Sequence, residues 1–197
     1  MAVTIEVSDD ALNAELVRLE GRLKDISPAL MEVGEDMIAR MKGRFATSTD
    51  PNGAAWAPLA QSTVTGYLAS KKGSYRQDGA LSALGQARRA NRRPLIGETG
   101  ALSSQLFWDI SGGTLEVGST MPYAPIQNFG GTTKPHDIVP RYKKALAFGG
   151  GIFRRVHHPG SKIPARPFFP VRQDGSLYPI EQEAILNTIS AWIEGGK

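Results

Sequence analysis

The three histidines, His136, His157 and His158, are the side chains best suited to metal binding or acid–base chemistry. His157 and His158 are adjacent, and adjacent residues of a strand point to opposite faces, so these two do not form a natural chelate. No nearby carboxylate cluster completes a metal site. We therefore expect no metal, and we place these histidines at a strand end before the turn at Pro159-Gly160.

Other catalytic patterns are also missing from the sequence. No serine lies in a G-x-S-x-G nucleophile elbow, and the glycines at 149–151 lack the Lys-Ser/Thr that completes a phosphate-binding loop. Four glutamates share the polar side of one helical pattern, which is typical of a solvated face: Glu15, Glu20, Glu32 and Glu35. We therefore expect no catalytic residues, no cofactor and no enzymatic activity.

Positive charge is concentrated in one segment, residues 71–93, which carries +6 although the whole chain carries only +4. Its basic residues are Lys71, Lys72, Arg76, Arg88, Arg89, Arg92 and Arg93. Such a segment suits DNA phosphates, an acidic protein surface or solvent. Tyr75 is the only aromatic residue among them, so the segment offers no stacking platform for single strands. These alternatives remain open at this point.

Length and composition predict one soluble domain spanning residues 1–197, and the order of its predicted elements, given below, makes its class α+β. Hydrophobic residues make up 41% of the chain, which is ordinary for a globular protein. There is no cysteine for a disulfide or thiolate site, as expected of a protein that folds in a reducing cytoplasm. No signal peptide pattern and no long apolar run is present, so we expect no membrane partner.

The most regular pattern is an apolar heptad over residues 12–37. It consists of Leu12, Leu16, Leu19, Leu23, Ile26, Leu30, Val33 and Met37. A short strand at Val3–Val7 is expected before it, with Ser8 or Asp9 as the N-cap. The heptad predicts a long helix, kinked or broken at 27/28 and ending near Phe45, within a helical region of residues 1–45. Its apolar side is expected to cover a sheet or to contact another subunit.

The remaining elements predict a small antiparallel sheet that packs against this helix and a C-terminal helix. A turn at 50–53 precedes Trp56, which we expect to close one end of the core. Hairpins are predicted at 104–119 and 144–156, a helical turn at 123–131, and a last helix at 178–194. Residues 66–94 are rich in glycine, serine and alanine, which predicts a long flexible basic loop or arm.

The stretch "IPARPFFP", Ile163–Pro170, predicts a stiff extended strap, since its three prolines exclude a helix or a central strand. Between Pro164 and Pro167, Arg166 presents its guanidinium at a fixed place, suited to a carboxylate. At least one of Phe168 and Phe169 should enter the core or a subunit contact.

These motifs, in this order, resemble the phage virion morphogenesis (tail completion) family, including its Mu-like members, and related head–tail joining minor tail proteins. The matching marks span about residues 35–193: "GRF" (43–45), "PNGAAWAPL" (51–59), "TGALSSQL" (99–106), "VGS" (117–119), "YAPIQNFGG" (123–131), "KKALAF" (143–148), "VHHPG" (156–160) and "IPARPFF" (163–169).

The resemblance implies a non-enzymatic structural protein of a tailed phage, assembled in the host cytoplasm and located in the virion at the tail–neck junction. It implies a homo-oligomeric ring, with six subunits expected, that contacts the head connector and the tail tube or terminator. The strap, Tyr123, Phe129 and Gly130 would then be conformational anchors. Residues 66–94 would be an arm reaching a neighbouring ring or the DNA channel. The alternative function is a basic DNA-binding protein that contacts duplex non-specifically through residues 71–93.

Overall fold

The computed structural model describes residues 9–141, 144–148 and 151–195. Within these ranges the chain forms seven helices and eight short strands. In chain order they are α1 (Asp10–Lys24), α2 (Ser27–Thr47), α3 (Gln61–Ser70), α4 (Ala83–Ala90), α5 (Ala101–Ser104), β1 (Leu106–Ser111), β2 (Thr114–Ser119), α6 (Ala124–Phe129), β3 (Gly131–Thr132), β4 (His136–Ile138), β5 (Leu146–Phe148), β6 (Gly151–Phe153), β7 (Val156–His158), β8 (Lys162–Ile163) and α7 (Pro179–Glu194). The predicted α+β class is confirmed, with the N-terminal and C-terminal helices in place.

The N-terminal helical pattern is broken into α1 and α2. Asp9 caps α1 by accepting a hydrogen bond from the Leu12 N–H at 3.0 Å. After α1 ends, the Asp25 carboxylate accepts from the Ser27 N–H at 3.0 Å, and Pro28 occupies the first turn of α2. Helix α2 then continues two residues beyond the predicted end at Phe45. The strand expected at Val3–Val7 lies outside the described residues.

The two halves of the heptad differ in burial. No residue of α1 is buried, and Leu12, Leu16 and Leu23 are more than half exposed. In α2, by contrast, Val33 and Met37 are buried. The expectation that the heptad covers a sheet therefore holds for α2 alone, and the apolar side of α1 is mostly exposed among the described residues.

The hairpin of β1 and β2 covers α2. Its strands pair antiparallel from Leu106↔Ser119 to Ser111↔Thr114, and alternate residues of β1 are exposed. Trp108 lies directly on Gly34 of α2, where an added Cβ would come within 2.9 Å of the indole ring. This hairpin is the one predicted from the sequence, with its apolar face against the helix.

The core lies where α2, α5, α6 and the strap meet. Its buried side chains are Met41, Phe45, Trp56, Leu102, Ala124 and Phe168. The ring of Phe45 packs edge-on against Trp56 at 5.5 Å and lies 5.0 Å from the ring of Phe168. Helix α7 also packs on α2. Trp56 and Phe168, both singled out in the sequence, therefore meet in one cluster.

The strands do not form one small sheet. Beyond β1–β2, the pairs β3–β8, β4–β7 and β5–β6 are successive parts of one antiparallel hairpin that runs from Gly131↔Ile163 to Phe148↔Gly151. The predicted hairpin at 144–156 is thus only the far end of a longer element. We call residues 131–163 the β-arm.

The prediction of a long flexible loop at 66–94 is wrong. Its residues contain the end of α3, a bridge between Tyr75 and Leu81, and α4. The Ser82 hydroxyl accepts from the Gly85 N–H at 3.0 Å and donates to the Gly73 carbonyl at 2.6 Å. The small residues that indicated flexibility instead permit close packing.

Candidate assembly surfaces

The strap, Ile163–Pro170, is held by hydrogen bonds to its backbone from several parts of the chain. The Trp56 indole N–H donates to the Pro167 carbonyl at 2.8 Å, and Arg44 donates to the Phe168 carbonyl at 2.7 Å. The fully buried Asn128 accepts from the N–H groups of Phe168 and Phe169, at 2.8 and 2.9 Å. Side chains from distant parts of the chain thus pair several backbone groups of the strap, and the Arg166 N–H donates to the Gln127 carbonyl at 2.9 Å.

Among the described residues Arg166 forms no ion pair, contrary to the expectation of a carboxylate partner. Its guanidinium donates to the backbone carbonyls of Ala57 and Pro58, at 2.8 and 2.9 Å. Burial lowers the pKa of Arg166 from its ordinary value. Where the strap crosses residues 57–58, two main-chain oxygens face the guanidinium of Arg166. Arg166 therefore connects the strap to residues 57–58 of the same chain.

A buried ion pair lies beneath the strap. The Glu181 carboxylate, 1% exposed, binds Arg44 and also accepts from the Arg40 Nε at 3.1 Å. Burial lowers the pKa of Arg44, and the Glu181 charge opposes that shift. Sequence reasoning missed Arg44, Glu181 and Asn128. The available signal was Arg44 itself, a charge lying between Met41 and Phe45 on the apolar side of a helix.

The other predicted anchors differ in burial. Gly130 has φ +74°, and a Cβ there would lie 2.8 Å from the Ala165 nitrogen, so it allows α6 to approach the strap. Phe129 and Phe169 are half-buried and line one apolar pocket of about 460 Å³. Pro164 is exposed and Pro167 half-buried. Tyr123 is exposed, so its ring is no anchor of the core.

Four of the seven predicted partner-binding cations are engaged within the chain. Lys71 forms an ion pair with Glu98, and Arg92 stacks over the Tyr67 ring at 4.3 Å. Arg88 donates to the Lys72 carbonyl at 2.9 Å, and Arg93 donates to the Ala46 carbonyl at 2.6 Å. The contacts of Lys71, Arg92 and Arg93 attach the basic segment, residues 71–93, to the rest of the chain, whereas the Arg88 bond lies within the segment.

Three exposed cations of the basic segment have no bond within the described residues. Lys72, Arg76 and Arg89 make no side-chain hydrogen bond or ion pair within the described ranges. The structure therefore separates one predicted set into a structural part and an accessible part.

A groove of about 670 Å³ brings several predicted residues together. Arg92 and Arg93 line it from the basic segment, Tyr123 from the turn before α6, and Arg166 from the strap. Lys162, at the base of the β-arm, completes its cationic lining. Among the described residues no group of three or more metal-ligating side chains occurs.

The β-arm is the part of the chain that stands away from the core. None of its described residues is buried. Its polar side chains bond within the arm: Asp137 pairs with His157 at 3.0 Å and with Arg155 at 3.4 Å. His136 and His158 stack on each other across the strands, with ring centroids 5.1 Å apart. His157 and His158 thus face opposite sides, as the sequence indicated.

The surface of the β-arm is both basic and apolar. It contains seven basic residues and one acidic residue, a net charge of +6. Four large apolar side chains are exposed on it, Ile138, Val139, Ile152 and Phe153, and Ile152 is 80% exposed. Large apolar groups on a projecting element are typical of an interaction surface. Sequence reasoning placed the projecting arm at 66–94 and missed this one.

Comparison with known proteins identifies a family for this chain. The phage virion morphogenesis family matches residues 7–194, so the chain belongs to that family. The match includes the first helix and the basic segment, which the resemblance by motifs did not reach. Neither the curated proteins nor the solved structures contain a significant match.

Membership of this family gives the class of the protein: it is a bacteriophage virion protein with a role in building the particle. Within the described ranges, none of the helices is long and apolar enough to cross a membrane.

Proposed function

We propose that this chain is a non-enzymatic structural protein of the phage neck, acting in tail completion and head–tail joining. It works as one subunit of an oligomeric ring, for which six subunits are expected, at the junction of the tail tube with the head connector. The ring assembles in the host cytoplasm from the chain alone, without a cofactor. Family membership supports the virion role, and the arrangement of rigid body and projecting arm supports the ring.

The observation that carries this proposal is the contrast between the strap and the β-arm. The strap is fixed by Trp56, Arg44 and Asn128, whose hydrogen bonds connect distant parts of the chain. The β-arm ends where the strap begins, at Ile163, and none of its described residues is buried. A rigid base under an exposed ribbon positions that ribbon for docking at a low cost in ordering entropy.

The proposal is tested in the phage that encodes the chain, with a stop codon introduced early in its gene. We expect separate heads and tails to accumulate, and we expect a plasmid copy of the chain to restore joined particles and infectivity. In purified wild-type particles, mass spectrometry and electron microscopy should place the chain at the neck. Complete, infectious particles that lack the chain would overturn the proposal.

The second candidate is duplex DNA binding by the basic segment, which Lys72, Arg76 and Arg89 favour because they are exposed together on one segment. Phosphate contacts by these cations would weaken steeply with added salt. The triple change Lys72→Ala, Arg76→Ala, Arg89→Ala should then remove most duplex affinity and flatten its salt dependence. Unchanged duplex affinity in this variant would exclude the basic segment as a DNA contact.

A further inference from the structure

The outer face of the β1–β2 hairpin carries an uncompensated acidic pair. Asp109 and Glu116 are directly opposite each other in the register, and both are exposed. Neither forms an ion pair in the part of the chain that the structure describes. Like charges at directly opposed sheet positions are destabilising. Within the described residues, this face thus carries a repulsion that a cation from another chain would relieve.

The same outer face also exposes an aromatic ring. Phe107 precedes Asp109 by two residues on the strand, and its ring lies over Gly118, where an added Cβ would come within 2.6 Å. The ring is 39% exposed although it lies flat on the hairpin. The outer face therefore combines two carboxylates with a large apolar surface.

The β-arm has the complementary composition. Lys144 and Arg154 are exposed near its far end and form no ion pair within the described ranges. Ile152, between them in sequence, is the most exposed of the large apolar side chains. The arm and the basic segment each carry +6, and since the whole chain carries +4, the remaining residues together carry −8. An acidic body and a basic arm belong to the same chain.

From this complementarity we infer that the β-arm of one copy docks on the outer face of the β1–β2 hairpin of a neighbouring copy. Lys144 and Arg154 face Asp109 and Glu116 in the contact, and Ile152 packs on Phe107. The inference rests on the proposed function, since it supplies the contact between subunits of the ring.

The symmetry of such a contact fits a ring. The arm and the outer face are two different patches, so each copy gives its arm to one neighbour and receives an arm from the other. Contacts between unlike patches generate closed rings or open filaments, whereas contacts between like patches generate dimers. Since every arm is basic, repulsion between like charges also disfavours the pairing of one arm with another.

A protein partner fits the arm better than DNA does. Phosphate binding needs only the cations, because the phosphate backbone dominates affinity. The arm additionally exposes Ile138, Val139 and Ile152, which gain from contact with an apolar protein surface.

The first experiment uses the absence of cysteine from the chain. Ala145→Cys, next to Lys144 in the arm, and Ser111→Cys on the outer face are combined so that Ile152 is kept, and particles carrying this variant are treated with a short bismaleimide cross-linker. We expect a ladder of covalent multimers on a denaturing gel. Each single variant should give none, and the matched pair Ala145→Cys with Ser190→Cys, on the exposed side of α7, should give none either.

The second experiment reverses the charges. Asp109→Lys with Glu116→Lys keeps a like-charge pair across the strands, so the hairpin has a comparable internal repulsion. This variant, and separately Lys144→Glu with Arg154→Glu, should lower infectious titre, and the two together should restore it by at least roughly tenfold, since like charges across an interface are costly. Glu32→Lys with Glu183→Lys changes the net charge equally on other exposed surfaces and should not rescue the arm variant.

The outcomes separate this inference from the proposed function. If the chain is present in joined particles but the cysteine pair gives no ladder, the docking inference is wrong and the neck role stands. If the arm variant loses titre and the reversed outer face does not restore it, the arm has another target, such as packaged DNA, and the inference is again wrong. A chain absent from particles would overturn both.

Discussion

The basic segment and the β-arm carry the same net charge of +6 but have opposite relations to the body of the molecule. In the basic segment, Arg88 and Arg93 donate to backbone carbonyls and Arg92 covers Tyr67. In the β-arm, Lys144 and Arg154 point into solvent beside exposed apolar groups. Equal charge thus supports two different roles. One set of cations is bonded within its segment and to the body, and the other is accessible to a partner.

The largest expected effect concerns the body that supports both segments. Glu181→Ala leaves Arg44 buried without its partner, and we expect the free energy of unfolding to fall by about 3–5 kcal/mol. The measurement is urea unfolding of the purified chain at fixed concentration. Glu183→Ala, an exposed change in the same helix, is the control and should shift stability by under about 0.5 kcal/mol. Equal effects from the two changes would show that the buried pair does not anchor the strap.

The next effect tests whether the basic segment is folded on itself. A Cβ on Gly85 would come within 2.0 Å of the Ser74 carbonyl oxygen, so we expect Gly85→Ala to destabilise the chain by about 1–3 kcal/mol. Gly66→Ala is the matched control in the same region. Its Cβ would meet nothing within 4 Å, and the gain in helix propensity should stabilise by up to about 1 kcal/mol. A flexible loop at 66–94 would show neither effect.

A smaller effect separates two neighbouring arginines. Arg88→Ala removes hydrogen bonds to the Lys72 carbonyl and the Ser74 hydroxyl, so it should cost about 1–2 kcal/mol in thermal or urea unfolding. Arg89→Ala removes an exposed cation that has no such bond and should change stability by less than about 0.5 kcal/mol. Indistinguishable variants would mean that Arg88 is no more a structural residue than Arg89.

The smallest effect on stability is expected in the β-arm. Ile152→Ser replaces a side chain that is 80% exposed, so the free energy of unfolding should change by less than about 0.5 kcal/mol. The same change should nevertheless reduce the incorporation of the chain into particles, measured by quantitative mass spectrometry of purified virions. Normal incorporation, or a clear loss of stability, would contradict the view of the arm as a docking element.

Local features of the fold could be predicted from the sequence because neighbouring residues decide them. The heptad and Pro28 predicted two helical stretches, and the alternation in β1 predicted the hairpin over α2. The prolines of the strap predicted an extended stiff segment. Family membership, too, was anticipated from ordered motifs.

The partners of those elements could not be predicted in the same way. Arg166 has two backbone carbonyls for partners, 108 and 109 residues away in the chain, and nothing local distinguishes those from a carboxylate. Glycine and serine at 73–85 are compatible with a flexible loop and with tight packing alike, because both need small side chains. The strands at Gly131 and Ile163 pair only when two segments distant in the chain come together. A short hairpin is easier to predict because the residues of its own turn determine the pairing.

The sequence by itself determined the helices, the turns, the stiffness of the strap and the amount of charge in each segment. These follow from backbone preferences and side-chain types that act over a few residues. Only the tertiary structure decided that the cations of 71–93 are largely used internally and that 131–163 is the projecting arm. The reason is that burial and hydrogen-bond pairing depend on residues distant in the chain, which approach one another only when the core around Phe168 forms.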